Sequence, residues 1–350
     1  MIGVPGSIMA EQVLSAAQSA LDVPWLAPQI EQLRRARSAN RYPTGLLIHD
    51  GRGAGGEALG RFAAQLALCR EPGAPCGRCR DCRMFRASQH PDFIEVHPIE
   101  DSKLIRVEQV RELSEQLVLT SHGGGATVAL ISPADSMNAN AANALLKSLE
   151  EPRAAVTLIL VSATPSRLPA TILSRCLRLR IAAPARVVSV AWLERHKGPG
   201  PWSTVLDVLR DAPFEALQAD PAELARLKAE TDRSLSDALA GRMDIPGTAE
   251  RWARGESLAM RLACLETWIT ARIDDAVGRP RQSSELRSSA HLPESGSDMN
   301  IAVLLRLLDG IYELRRLRLT SINRSLALEQ LLWQLPRARQ RGGARARVDR

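Results

Sequence analysis

Residues 51–58 read Gly-Arg-Gly-Ala-Gly-Gly-Glu-Ala. They follow an apolar run, Leu46-Leu47-Ile48, and precede a helical pattern over Leu59–Leu68. Gly51 and Gly56 therefore stand where a phosphate-binding loop keeps its two glycines. Such a loop needs Lys and then Ser or Thr after the second glycine, because the ammonium reaches the β- and γ-phosphates and the hydroxyl holds Mg²⁺. Here Glu57 and Ala58 occupy those positions. Two like unit charges about 4 Å apart repel by about 4 kcal/mol at an effective dielectric of 20, and the attraction of the missing Lys is lost as well. The frame of a nucleotide site is present with its charge reversed, which predicts no ATP binding.

A working site of this kind also needs a carboxylate at the end of a neighbouring apolar strand to organise Mg²⁺ and water. The candidate strand, Val128-Ala129-Leu130-Ile131, is followed by Ser132 and Pro133, which supply neither a metal ligand nor a base. Asp135 comes later, where a structural or helix-starting role is expected. Two separate losses in one site point the same way.

Four of the six cysteines, Cys69, Cys76, Cys79 and Cys82, fall within fourteen residues. Spacings of two residues let neighbouring thiolates turn onto a single ion, and four thiolates complete a closed tetrahedral zinc site. Segments this short argue against disulfides in a reducing compartment. A ferredoxin-like cluster is an alternative, but Arg86 stands at the place of a further cysteine and no Cys-Pro follows. A closed four-cysteine site leaves no open coordination position, so the expected role is structural. Arg70, Arg78, Arg80, Arg83 and Arg86 surround it; charge compensation is the expected reading, with contact to a phosphate backbone as the alternative. Cys176 and Cys264 read as core thiols. No nucleophile–base constellation stands out among the six histidines, and His90 in Gln-His-Pro-Asp reads as a local cap.

These residues need positioning elements. Strands are expected at Gly45–His49, Asp92–His97, Thr127–Ser132, Thr157–Ser162 and Leu177–Ile181. Helices are expected at Ala27–Ala39, Leu59–Leu68, Arg106–Leu119, Ala139–Glu150 and Leu168–Leu173, with Pro152 stopping the fourth. Strands alternating with helices of this length imply a parallel sheet covered on both faces. After Pro184 the strand signal ends. Helical periodicity continues at Val187–Arg195, Ser203–Arg210 and Pro221–Ala240, then near Glu250–Val277, Asn300–Thr320 and Leu326–Leu335. The Ser-, Gly- and Pro-rich segment Gly278–Ser297 reads as a mobile connection.

With 350 residues there is room for two or three cores. Six tryptophans, four phenylalanines and two tyrosines are too few for base-stacking platforms to be the main mode of action. The net charge of +7 is concentrated at the end: residues 337–350 carry six arginines and one aspartate, leaving about +2 for the rest. That tail is expected to be a solvated, disordered terminus, with weak DNA contact as the alternative. No run approaches the roughly 18 apolar residues of a membrane span. Residues 1–22 read as a mildly helical extension with no secretory leader, and Met9 is a second candidate start. The chain is expected to be cytoplasmic.

Residues 135–152, Asp-Ser-Met-Asn-Ala-Asn-Ala-Ala-Asn-Ala-Leu-Leu-Lys-Ser-Leu-Glu-Glu-Pro, resemble the signature helix of bacterial DNA polymerase III clamp-loader subunits. Residues 168–176 resemble the Ser-Arg-Cys motif of the same family at Ser174-Arg175-Cys176. The cysteine quartet inserted after the loop's helix narrows the likeness to a non-motor subunit. The specific motifs span roughly residues 24–181; beyond them the likeness rests on helical pattern and length. The family's motor subunit, tau/gamma, carries the loop Lys and a strand ending in Asp-Glu, and this chain departs at both places.

The resemblance implies an AAA+-type α/β P-loop domain with a parallel sheet over residues 23–183, carrying the zinc insertion at 69–82. A small helical lid at 184–245 and a helical collar domain at 246–336 would follow. It further implies a subunit without ATPase activity of its own, belonging to the DNA polymerase III holoenzyme and partnered by tau/gamma and delta. The sliding clamp and primed DNA would be contacted indirectly. Arg175 becomes a trans-acting arginine finger for a neighbour's ATP site; its bland alternative is a surface ion pair. Two other functions compete: an ATPase working through the altered loop, which micromolar ATP binding would reveal, and a zinc-containing DNA-binding module, which strongly salt-dependent DNA binding would reveal.

Overall fold

The computed structural model describes residues 20–51, 53–99, 104–118, 121, 124–151, 155–255, 257–277, 300–316 and 323–338. The expected N-terminal extension up to residue 19, Arg52, the Pro152 helix stop, the Gly278–Ser297 connection and the tail beyond Ala338 lie outside them. The chain divides into two compact units: residues up to His196 with Ala212–Glu215, and Lys197–Asp211 with the residues from Ala216 onward.

The first unit is built on five parallel strands, β1 (Gly45–His49), β2 (Phe93–Val96), β3 (Thr127–Ile131), β4 (Val156–Ser162) and β5 (Leu177–Arg180), in the order β2-β3-β4-β1-β5. All of β3 and β4 and nearly all of β1 are buried. Continuous runs of Leu, Ile and Val suit strands covered on both faces, which a parallel sheet requires. In the register, His49 of β1 pairs with Ser162 of β4, and Ile131 of β3 with Leu160. The carboxyl ends of β1, β3 and β4 therefore share one edge, the customary place for a ligand in an open α/β sheet.

The helices of this unit are α1 (Ala27–Ser38), α2 (Gly56–Leu68), α3 (Arg80–Arg86), α4 (Val107–Val118), α5 (Ala139–Glu150), α6 (Ala170–Arg175) and α7 (Arg186–Lys197), whose last residue belongs to the second unit. Leu47, Ile131, Leu145, Leu158, Leu160 and Ile172 meet in one core cluster. Asn138 starts α5, its side-chain oxygen accepting the Ala141 N–H at 2.8 Å, as an N-cap residue should. The helix expected at Leu168–Leu173 instead begins after Pro169, because a proline at its head fixes the entry. Helix α3 was not anticipated: its arginines mask any apolar face, and the Cys79 cap starts it, the Cys79 sulfur accepting the Cys82 N–H.

The second unit is helical throughout its described residues. It holds α8 (Trp202–Val208), the end of α9 (Pro213–Gln218), α10 (Pro221–Leu239), α11 (Ile245–Arg254), α12 (Leu258–Val277), α13 (Ile301–Arg316), α14 (Arg324–Leu332) and α15 (Leu335–Ala338). Leu235, Trp252, Leu265, Trp268, Leu304 and Leu331 lie in its core. The single helix expected over Glu250–Val277 is two. Asp244 caps the first by accepting the Gly247 N–H at 3.2 Å, and Gly255, in extended backbone, ends it.

Candidate functional site

The strand β1 delivers Asp50 to the sheet edge, and Gly53–Gly55 lead into α2. Both oxygens of the Asp50 carboxylate are taken by this turn: Oδ1 accepts the Ala54 N–H and Oδ2 the Gly56 N–H, each at 2.6 Å. These are loop and helix-start amides of the kind that would otherwise cradle a phosphate. Trp25 donates its indole N–H to the Ala54 carbonyl at 2.7 Å. The Phe214 N–H donates to the Gly53 carbonyl at 3.2 Å. The Phe214 ring lies against Gly55, where φ is +103° and a Cβ would meet the ring at 2.5 Å, so only glycine fits. Trp192 packs between these clamps, edge-on to Trp25 at a centroid distance of 5.3 Å and tilted against Phe214 at 5.1 Å.

Further negative groups gather at the loop. Partial burial, and then the Asp50 charge, push the Glu215 carboxyl up. Glu57 accepts from the Ser132 hydroxyl at 3.4 Å and faces Arg61 at 3.7 Å, while Arg61 also pairs with Glu95 at 2.9 Å. Asp135 is turned to a structural task. Its Oδ1 accepts from the Ser162 hydroxyl at 2.9 Å and from the Ala163 N–H at 3.2 Å, fixing the exit of β4. The residue order at 51–58 and 132–135 gave the expectation of no ATP binding. It did not signal that Asp50 fills the loop, nor that residues as distant as Trp25 and Phe214 brace it.

Arg175 ends α6 and is about one-third exposed. Its guanidinium pairs with Glu150 at the end of α5 at 2.7 Å and donates to the Thr171 carbonyl at 3.1 Å. The sequence reading placed Glu150 only as a helix end, and the ion pair it makes is of the kind named there as the alternative for Arg175. Cys176 beside it is buried, and burial pushes its thiol up to about 11; Cys264 behaves alike.

The four sulfurs of Cys69, Cys76, Cys79 and Cys82 lie within 4.8 Å of one another, Cys69 and Cys79 at 3.9 Å. A tetrahedron with metal–sulfur bonds of about 2.3 Å needs separations of about 3.8 Å, so the donor set fits one ion with small adjustments. Backbone N–H groups of Cys76, Cys79 and Cys82 point at the sulfurs of Cys69, Cys76 and Cys79 at 3.5, 3.3 and 3.3 Å. Amides of Arg78 and Cys79 hold the Cys76 thiol down to about 6, whereas burial pushes Cys82 up to about 12 and raises Cys79. A bound cation would deprotonate all four. His90 is buried against this module: its Nδ1 accepts the Asp92 N–H at 3.1 Å, and its Nε2 lies 3.7 Å from Asp81. Among the described residues no helix is long and apolar enough to cross a membrane.

Comparison with known proteins follows the first unit. A family model described as "DNA polymerase III, delta subunit" matches residues 26–185. The DNA polymerase III subunit delta' of Pseudomonas aeruginosa is 41% identical over 198 residues, 56% of this chain and 56% of that one. That of Escherichia coli K12 is 38% identical over 175 residues, 49% and 52% of the two chains. DNA polymerase III subunit tau of Salmonella typhimurium is 32% identical over 180 residues, 50% of this chain and 28% of that one. The chain thus spans about half the length of the delta' relatives it matches.

Proposed function

We propose, from the likeness of residues 26–185 to DNA polymerase III delta' subunits, that the chain is a clamp-loader subunit that binds no ATP and acts on a neighbour's ATP site. The observation that carries this reading is the Asp50 carboxylate seated on the loop amides. A triphosphate would have to displace a bonded carboxylate, then meet Glu57 in place of a lysine. Such a loop serves as a rigid brace. It needs no nucleotide to hold its shape.

The chemistry left to the chain is Arg175, read as the trans arginine finger for an adjacent tau/gamma subunit. The partly exposed guanidinium on a short helix end can exchange Glu150 for the charge developing on a transferred phosphoryl group. Delta and tau/gamma would be its partners, with the sliding clamp and primed DNA reached through the assembly. The cysteine cluster would hold a structural zinc. Residues 184–245 would act as the lid and 246–336 as the collar.

The test is the DNA- and clamp-stimulated ATPase of a reconstituted loader carrying Arg175→Ala. Fingers of this type are worth about 10³–10⁵ in rate, so a loss of at least tenfold is expected even if other subunits contribute. Undiminished turnover would remove the finger. Labelled ATP should show no saturable binding to the isolated chain; micromolar affinity would return the altered-loop ATPase.

A further inference from the structure

The helix that carries Arg175 is too short to hold itself. Helix α6 has six residues, under two turns, and helices of that length are marginal without outside support. Cys176 follows in extended backbone, at φ −108° and ψ 137°, so the chain makes no left-handed turn whose amides would cover the last carbonyls. Side chains take that role. Arg178 donates from Nε and Nη2 to the Leu173 carbonyl at 3.2 and 2.9 Å. Arg175 and the Ser174 hydroxyl donate to the Thr171 carbonyl at 3.1 and 3.0 Å. Arg178 is itself anchored in the sheet: it lies on β5 opposite the buried Leu47 of β1, and its neighbour Leu179 is buried. A second support is steric. Gly45 opens β1, and a Cβ there would stand 3.0 Å from the Arg175 carbonyl oxygen, 3.1 Å from Leu149 Cδ2 and 3.3 Å from Cys176 Sγ. The ends of α5 and α6 thus meet over a bare Cα, which brings Glu150 within 2.7 Å of Arg175.

We propose that Arg178 is a positioning residue for Arg175: its fork on the Leu173 carbonyl ties the end of α6 to the sheet and so sets where the Arg175 guanidinium stands. Gly45 is the seat that admits this helix end. The purpose of the clasp rests on reading Arg175 as a trans finger. A finger stabilises developing charge only while its donors lie within bonding distance, and a misplacement of about 1 Å can cost about 100-fold in rate. The long arginine side chain cannot supply that precision alone, so its backbone must be fixed. Arg178 is poorly placed to be a second finger. Its Nε–Nη2 edge, the one that would fork onto two phosphate oxygens, is already spent on Leu173. Arg178 is also exposed, so truncating it empties no space in the core.

The experiment compares reconstituted loaders carrying Arg178→Ala, Arg175→Ala and both together, by DNA- and clamp-stimulated ATPase. Arg178→Ala should lower kcat by about three- to tenfold, the range of one charged hydrogen bond at an exposed carbonyl. KM for ATP should stay unchanged, because the neighbour holds the nucleotide and only the aim of the finger is lost. Arg178→Lys keeps one donor for the carbonyl and should recover part of the rate. In the Arg175→Ala background, Arg178→Ala should cost nothing more, since it acts only through Arg175. A further loss there would overturn the proposal by making Arg178 a charge that acts on the phosphate itself. The isolated chain gives a readout that needs no finger: amide hydrogen exchange over residues 170–176 should quicken by about three- to tenfold in Arg178→Ala, with β1 unchanged. Unaltered exchange at α6 would overturn the clasp even if turnover fell. Full turnover in Arg175→Ala would sink the finger reading, and with it the purpose of the clasp. A slowed Arg175→Ala beside a normal Arg178→Ala would sink the positioning claim alone.

Discussion

Asp50 and Gly56 form a closed pair: the carboxylate accepts the N–H of Gly56 at 2.6 Å, and Gly56 has no side chain because of it. A Cβ at Gly56 would stand 2.5 Å from the Asp50 Cβ and 2.8 Å from Val161 Cγ1. Gly56 begins α2, so its amide also carries the positive end of the helix dipole, which stabilises an anion placed there. The protein supplies that anion from its own chain. Charge-assisted bonds of this kind are roughly twice as strong as neutral ones, and two of them share one carboxylate. The glycine frame that in other proteins admits a phosphate here admits Asp50.

Replacing Asp50 by Asn should therefore destabilise the first unit. The amide turns a donor toward one of two N–H groups, and a buried unsatisfied donor costs about 1–3 kcal/mol. Urea unfolding of the full chain, followed by tryptophan fluorescence, should show a loss in that range, and Asp50→Ala a larger one. Inorganic phosphate or sulfate should recover part of the loss in Asp50→Ala, because an emptied helix N-terminus accepts an anion. A midpoint unchanged by both substitutions would mean that the carboxylate does not brace the loop.

The Glu150–Arg175 pair leads to a different expectation. Both partners are partly exposed, at 46% and 35%, and such pairs contribute about 0–1 kcal/mol. Glu150→Gln should leave the unfolding midpoint almost unmoved. In a reconstituted loader it should raise turnover by at most about fivefold, since releasing about 1 kcal/mol from a competing contact changes a rate by no more than that. A fall in turnover with an unchanged KM would show that Glu150 aims the arginine instead of competing for it.

The sheet was legible in the sequence because buried parallel strands are continuous Leu, Ile and Val runs. Gly45–His49 begins and ends where expected, and no end of the other four strands shifts by more than one residue. The cysteine cluster was legible because its spacing fixes its geometry. Short elements were not: a period of about 3.6 residues needs a longer window than the seven residues of α3 to show itself, and its arginines hide it. The break at Gly255 was missed because apolar periodicity resumes in nearly the same phase at Leu258. The bracing of the loop was illegible for another reason. Trp25, Phe214 and Asp50 meet only through long-range packing, which no local pattern records.

Metal uptake by the cysteine cluster should depend steeply on pH. Ligands bind as thiolates. Cys76, held down to about 6, is already ionised at pH 7, whereas burial keeps the Cys79 and Cys82 thiols protonated there. Each zinc bound near pH 7 should then release about two protons from these residues, and below about pH 6 a further one from Cys76. Affinity should fall as pH falls, by at least about 100-fold per unit near pH 7 and more steeply below about 6. Competition against a chromophoric chelator between pH 5.5 and 8 measures this. Cys76→Ser should remove the extra steepness at the acid end, and an affinity independent of pH would contradict thiolate ligation. In the metal-free chain, Cys76 should also be the first of the four to react with iodoacetamide.

The helical unit holds a buried charge whose removal should be costly. Glu266 is 3% exposed; it accepts from the Tyr312 hydroxyl at 2.9 Å, pairs with Arg315 at 2.6 Å and is contacted by the Arg210 guanidinium. Burial lowers the Arg315 pKa, so that guanidinium has given up solvation and relies on the carboxylate. Glu266→Leu would strand it, and breaking one side of a buried pair costs about 3–5 kcal/mol. Because Arg315 remains about one-third exposed, the lower end of that range is expected. Glu266→Gln keeps an acceptor for Tyr312 and should cost less. The deciding variant is Glu266→Leu combined with Arg315→Met. If the loss comes from a stranded charge, the double substitution should recover most of it, because an apolar pair of similar volume can replace a buried ion pair without net loss. If the double variant is less stable than Glu266→Leu alone, the network contributes through packing and hydrogen bonds instead. Equilibrium unfolding followed through the buried Trp268, which lies on the same helix under Arg272, separates the two outcomes.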